Sequence, residues 1–181
     1  MAPDHRWTAE SIVSAVLKGP PPAGLDCGRE EQNDFIYSHA WIDYEEYVST
    51  TYLFFAEGRF AAYATVHWDS LPLTRRERGS IRYKHVSALK LGQLGVDRAF
   101  HGQGLGNYVV AFIVDLARAD TAPARCRYVT LDARPDLIGW YARQGFVPNE
   151  LRQQERIRDA IEHRRDPATI PVSMRFDLRT F

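Results

Sequence analysis

The sequence has little sulfur, no net charge and no long apolar run, and each lack removes a class of protein. It holds two cysteines, Cys27 and Cys126, in 181 residues. They are not spaced as metal ligands and no histidine cluster accompanies them, so neither a metal site nor a disulfide framework is expected. Both thiols are read as packed or idle, which suits a reducing compartment. Lysine plus arginine equals aspartate plus glutamate at 23 each, a formal net charge of zero. No global field therefore draws the chain to nucleic acid or to a membrane. The local runs Arg75-Arg76-Glu77-Arg78 and Arg164-Arg165 are read as solvated. No stretch reaches the roughly 18 apolar residues of a membrane span. Pro3, Asp4, His5 and Arg6 precede a short, interrupted apolar segment, which is not the pattern of a signal peptide. The cytoplasm is the expected compartment. There are no internal repeats. At this length a single domain is expected, large enough to fold without a metal or a disulfide.

What is present centres on Leu89 to Val114. Leu89, Leu91, Leu94 and Val96 suggest a strand, interrupted by Gly92 and Gly95, which point to a bulge or a close backbone approach. Leu105, Val109, Phe112, Ile113 and Leu116 recur at helical steps. Between strand and helix lie Gly102, Gly104 and Gly106, every second residue. Bare amides at the positive end of a helix can gather on one anion, and a phosphate is the natural candidate. A Walker loop is excluded because Gly106 is followed by Asn107 and Tyr108. A dinucleotide loop is excluded because the spacing is Gly-x-Gly-x-Gly. A glycine-rich strand–helix turn with no ligand is the alternative.

Along the rest of the chain, Thr8 to Lys18 reads as a helix stopped by Gly19 and the prolines 20–22. Glu30 to about Val48 reads as a second, aromatic-rich helix carrying Phe35, Ile36, Trp41 and Tyr44. Thr50–Ala56 and Phe60–Trp68 read as a hairpin around Glu57-Gly58-Arg59. Asp69 to Arg82 reads as an exposed basic loop and Tyr83 to Val96 as a strand. Thr121 to Arg125 reads as loop, Tyr128 to Ala133 as a buried strand, and Pro135 to Gln144 as a helix ended by Gly145. Phe146-Val147 begins a strand, Glu150 to Arg165 is an amphipathic helix, and Pro171 to Leu178 alternates as a final strand.

His101-Gly102-Gln103-Gly104-Leu105-Gly106 resembles the coenzyme A loop of the GCN5-related N-acetyltransferases, Gln/Arg-x-x-Gly-x-Gly/Ala. Both glycines match; His101 departs where Gln or Arg is usual. Tyr141 with Gly145-Phe146 is similar to the Tyr-x-x-x-Gly-Phe signature that ends the family's core. The resemblance implies a mixed, mostly antiparallel α/β sheet flanked by helices. It implies a core over 25–147, an N-terminal helix and Pro-rich connector over 1–24, and an added helix and strand over 148–181.

The resemblance also implies an enzyme that moves an acetyl group from acetyl-CoA, with no metal, to a primary amine of a small molecule or peptide. Gly102, Gln103, Gly104, Leu105 and Gly106, with His101 and Asn107, would bind the diphosphate. Leu94, Gly95 and Val96 would pair with the pantetheine arm, and the Val96 amide would stabilise the oxyanion. Tyr141 would protonate the leaving sulfur, since an ordinary phenol titrates near 10. The base is left open. The strand offers Lys90 and Gln93 where some relatives carry glutamate, and His67, His85 and Asp132 are each read first as structural. Leu25-Asp26-Cys27-Gly28 and Asp34-Phe35 are also similar to toxin-type members that acetylate charged tRNA alongside an antitoxin. Those carry arginine where Gln93 stands. A non-catalytic acyl-CoA binder and a homodimer stay open, and no membrane partner is expected.

Overall fold

The structure, a computed structural model, describes residues 7–119 and 125–180. All of the expected Thr121–Arg125 loop except Arg125 lies outside the described residues. The expected N-terminal helix does not form. A 3-10 turn, Ala9–Ser11, leads into strand β1, Ile12–Val16. Ile12, Val13 and Val16 are β-branched and stiff, and a helix of two or three turns is marginal on its own. Ladder bonding wins: β1 lies antiparallel on β2, Thr50–Ala56, with Ile12 opposite Ala56 and Val16 opposite Tyr52.

The second helical stretch is broken once. α1, Glu30–Asp34, passes through a π-helical turn, Phe35–His39, into α2, Ala40–Glu45. The Ala40 amide donates to the Phe35 carbonyl, the wider bond of a π-turn. The hairpin forms as expected, and β3, Arg59–Pro72, extends four residues further than the sequence suggests. Its turn uses Glu57 and Gly58, both at positive φ (52° and 74°), which matches the twist of paired strands.

The expected loop from Asp69 to Arg82 therefore begins as strand. It then carries a short helix, α3, Arg75–Arg78, capped by Thr74, whose Oγ1 accepts from the Glu77 amide at 3.2 Å. Then come β4, His85–Val96, a 3-10 turn, Arg98–Phe100, and α4, Leu105–Arg118. β5, Tyr128–Ala133, is followed by a 3-10 turn, Pro135–Leu137, running into α5, Ile138–Ala142. β6, Val147–Pro148, α6, Glu150–Glu162, and β7, Val172–Asp177, complete the chain.

The seven strands form one sheet in the order β1-β2-β3-β4-β5-β7-β6. The pairs β1–β2, β2–β3, β5–β7 and β6–β7 are antiparallel and β4–β5 is parallel. This is the mixed, mostly antiparallel sheet that the resemblance implies. Contacts divide the chain into two compact units: one runs to His67 and resumes over Gly92–Ile113, the other holds Trp68–Leu91 and resumes at Val114.

In the first unit, Leu17, Leu25, Cys27, Ile36, Ala40, Leu53, Phe60 and Tyr63 form one buried cluster. On the other side of β2, Phe54 meets Phe112 of α4 edge-on, with ring centroids 5.1 Å apart, and Tyr52 meets it at 5.5 Å. That anchors the helix through Leu105, Val109 and Ile113, all fully buried. In the second unit, Leu71, Ala88 and Tyr128 form a buried cluster, and the guanidinium groups of Arg127 and Arg175 approach the Tyr128 ring at 4.9 and 5.2 Å.

Candidate functional site

The first unit carries the glycine loop between β4 and α4. Gly102 and Gly104 adopt φ of +72° and +85°, a region that L side chains avoid. A Cβ added at Gly102 would meet nothing within 4 Å, and one at Gly104 only Trp7 Cζ2 at 3.9 Å. Backbone conformation, and not crowding by the protein, therefore demands these glycines. The loop's own bonds are few: Gln103 N donates to Phe100 O at 3.4 Å and Tyr108 N to Gly104 O at 3.1 Å. Among the described residues the amides of Gly102, Gly104, Leu105, Gly106 and Asn107 have no acceptor. Open donors at the head of a fourteen-residue helix match an anion with several oxygens. That chemistry fits the diphosphate of a nucleotide-like cofactor.

His101, the departure from the usual loop pattern, turns inward. Its Nε2 lies 2.8 Å from the Val96 carbonyl, which can only accept, so Nε2–H is the donor. The ring thus ties the loop to the last residue of β4. Gln103 likewise donates through Nε2 to Ala99 O at 2.7 Å.

A second brace leaves little mark on the sequence. The buried Asp97 accepts from Asp26 N through Oδ2 and from Ala99 N through Oδ1, both at 2.9 Å. Arg98 N donates to Asp26 O at 2.9 Å, and Arg98 Nη2 reaches the Asp26 carboxylate at 2.6 Å. Bonds from Asn33, the Gly28 amide and Arg98 hold the Asp26 carboxyl down at about 2. A strand ending in Asp followed by a 3-10 turn is a capping signal, and it was the available clue. The Leu25–Gly28 stretch thus acts as a strap under the turn that leads into the loop. Trp7 packs edge-on against Tyr108 at 5.8 Å, and its indole Nε1 is buried with no acceptor among the described residues.

The end of β4 differs from expectation. Gly95 is glycine because a Cβ there would sit 2.3 Å from Tyr63 Cε1 and 2.7 Å from Cys27 Sγ. Gly92 faces the His67 ring at 3.1 Å. Neighbours inside the first unit thus account for both glycines, and no visiting chain is needed to explain them. Parallel pairing covers Ala88–Leu91 against Tyr128–Leu131 and stops there. From Gly92 to Val96, including Leu94, that edge of β4 has no strand partner among the described residues. Cys27 is buried and its thiol is pushed up to about 12, chiefly by burial and then by Asp97 and Asp26, so it rests as an inert thiol.

The second unit carries Tyr141 on α5. Its side chain is 7% exposed, held between Trp140 at 4.6 Å and Phe146 at 5.8 Å. The Phe146 amide closes the turn on the Tyr141 carbonyl at 3.2 Å. Gly145 sits at φ +91°, with a hypothetical Cβ 2.9 Å from the Phe176 ring. The Gly-Phe pair is thus what folds the chain over the tyrosine. Burial pushes the phenol up to about 12 against a small opposing pull from Arg134, so it stays protonated at neutral pH. Among the described residues no hydrogen bond to its hydroxyl is found. Two of the candidate bases are accounted for in this unit: Asp132 Oδ2 is shared by Lys90 Nζ and Arg156 Nη2, each at 2.7 Å. Cation pairing offsets burial and keeps Asp132 ionised, a weak base. His85 is exposed. Among the described residues no cluster of metal-ligating side chains occurs.

The first unit thus offers an open-amide loop at a helix head, preceded by a strand edge with no partner among the described residues, and the second unit offers a buried protonated phenol. The model of the acetyltransferase (GNAT) family matches residues 15–146, and the chain belongs to that family. No curated protein matches the chain. Among solved structures, one of a bacterial toxin aligns at 18% identity over 93% of this chain and 91% of its own, with a TM-score of 0.72. AtaT complexed with acetyl-methionyl-tRNAfMet aligns at 20% identity over 76% and 87%, with a TM-score of 0.68. A tyrosine-to-phenylalanine mutant of KacT aligns at 20% identity over 76% and 87%, with a TM-score of 0.66. At these identities the likeness is one of fold. Among the described residues no helix is long and apolar enough to cross a membrane.

Proposed function

We propose that this chain transfers the acetyl group of acetyl-CoA to a primary amine of a small molecule or peptide. The observation that carries the reading is the set of amides of Gly102, Gly104, Leu105, Gly106 and Asn107, which have no acceptor among the described residues at the head of α4. Those amides would hold the diphosphate, with His101 fixing the loop to β4 through the Val96 carbonyl. The free edge at Leu94, Gly95 and Val96 would accept the pantetheine arm as an added strand, and the Val96 amide would face the developing oxyanion. Acetyl-CoA supplies an activated carbonyl and a thiolate leaving group; AtaTR, a solved neighbour, is bound with AcCoA. The nitrogen–carbon bond forms as the carbon–sulfur bond breaks. Tyr141, protonated at neutral pH, gives its proton to the sulfur, and the amine's proton leaves to water. Thiol release from acetyl-CoA in the presence of a panel of amines tests the reading. Release that depends on an amine supports transfer. Binding without release under every amine supports a non-catalytic acyl-CoA binder instead.

The breadth of the likeness to toxins favours a second reading, in which the acceptor is the amino group of a charged tRNA. AtaT is bound to acetyl-methionyl-tRNAfMet in one structure and to the C-terminus of the antitoxin AtaR in another. An antitoxin would then partner this chain too. Growth arrest on expression, relieved by Tyr141→Phe, supports that reading, and normal growth removes it.

A further inference from the structure

The excursion between β3 and β4 contains the Arg75–Arg78 run, which the sequence presents as a solvated basic stretch and as the one feature in favour of RNA binding, and it folds into a basic corner. It is closed at its base, where Leu73 N donates to Lys84 O at 2.9 Å. It is pinned inside as well, where Ile81 N donates to Arg78 O at 2.8 Å and Arg78 N to Thr74 O at 3.0 Å. Arg75, Arg76, Arg82 and Lys84 are exposed, and Arg78 is half-buried. The corner and the end of β3 also contain two acids, but neither neutralises these cations. Glu77 is claimed by Arg175 of β7; burial alone would raise its carboxyl, but the bonds from Thr74 and Arg175 outweigh it and hold the carboxyl low. Asp69 is claimed by Arg152 of α6, at 2.5 and 2.9 Å. Among the described residues none of the five corner cations has a carboxylate partner. The zero net charge of the chain thus hides a locally positive surface. Its acids are spent fastening the corner to the sheet and the C-terminal helix.

Tyr83, 73% exposed, stands between Arg82 and Lys84. An aromatic left in water beside unpaired guanidinium groups offers a stacking face within a phosphate-binding surface. Four of the five cations are arginines, whose planar forks match phosphate oxygens. An anionic membrane would call for apolar side chains beside the cations, and here Leu73 and Ile81 are turned partly inward.

We propose that the Leu73–Lys84 corner is a docking surface for the sugar–phosphate backbone of RNA, with Tyr83 stacking on a base. The inference rests on the RNA-directed reading of the acceptor and extends it by naming where the nucleic acid is held. Its test needs no turnover. The full chain is titrated with fluorescently labelled bulk tRNA at several salt concentrations, without acetyl-CoA. The same is done for the Arg75→Ala/Arg76→Ala/Arg82→Ala triple variant and for Tyr83→Ala. Each phosphate contact adds about 0.7–0.9 to the salt slope. Wild type should therefore bind with a steep slope that the triple variant lowers by about 2–3. Tyr83→Ala should weaken binding about tenfold with the slope kept.

Absence of binding at low salt overturns the proposal, as does binding that all variants share. Tighter binding to poly-glutamate or to phosphatidylserine vesicles than to tRNA also overturns it, in favour of an acidic protein or a membrane. Amine-dependent thiol release, unchanged in the triple variant with a small amine, shows separately that the acetyltransferase reading stands. Circular dichroism of each variant confirms that it is folded.

Discussion

Replacing Arg152 with alanine should loosen α6 from the sheet by a calculable amount. Arg152 grips Asp69 through two nitrogens and also reaches Ser70 O at 2.6 Å, while Thr130 Oγ1 donates to the same carboxylate at 2.8 Å. Both charged side chains are mostly covered, at 17% and 15% exposure. Burial alone would raise the Asp69 carboxyl, but the bonds from Arg152 and Thr130 outweigh it and hold the value down from 3.8 to about 2. A depression of that size corresponds to about 2 kcal/mol of folding stability. The sign follows from the direction. The folded value lies below the unfolded one, so the contribution is complete above about pH 5 and is lost as pH falls from about 4 to 2.

Arg152→Ala should then lower stability by about 2–3 kcal/mol at neutral pH, because it leaves a covered carboxylate without its main partner. For a chain of this length that is about 4–12 °C in melting temperature. The loss should shrink as pH approaches 2. Urea denaturation at neutral and acid pH, combined with Asp69→Asn in a double-mutant cycle, reads the coupling. A single variant within about 0.5 kcal/mol of wild type, or one whose acid sensitivity is unchanged, would refute the reasoning.

Other expectations follow from single contacts. Gly95→Ala drives a methyl into Tyr63, whose ring cannot swing away because its hydroxyl donates to Gln32 O at 2.9 Å. A loss of at least about 1–3 kcal/mol is expected in thermal denaturation, and a neutral outcome would contradict the packing described. His101→Ala removes the tie to the Val96 carbonyl and should weaken coenzyme A binding about 3–10-fold. His101→Gln, which keeps a donor, should restore part of it, and equal affinities would show that the tie is idle. Tyr141→Phe should lower amine-dependent turnover about 10²- to 10⁴-fold while coenzyme binding persists. Full turnover would remove Tyr141 as the acid.

Local signals carried most of the fold. The β2–β3 hairpin, β5 and the amphipathic stripe of α4 came directly from residue period and turn chemistry, because each is decided within its own few residues. β1 is ambiguous in the sequence because Ile12, Val13, Val16 and Leu17 fit a four-residue step as well as a strand. The deciding partner, β2, lies about forty residues away. The glycines of β4 were visible but their cause was not, since Tyr63 and Cys27 press on Gly95 from distant segments. The same holds for Asp69 and Glu77, whose partners on α6 and β7 lie 83 and 98 residues on. The sequence therefore presents the arginine run as an ordinary solvated stretch. Only pairing across the fold leaves those cations unbalanced.

Calorimetric titration of coenzyme A into the wild-type chain and into Gly104→Ala bears most directly on the central claim. The open amides that lead into α4 should give saturable, one-to-one binding that dephosphorylated pantetheine cannot match. A side chain at φ +85° should cut the affinity at least tenfold. Undetectable heat with wild type, or the same affinity in both proteins, would mean that this loop does not hold a diphosphate.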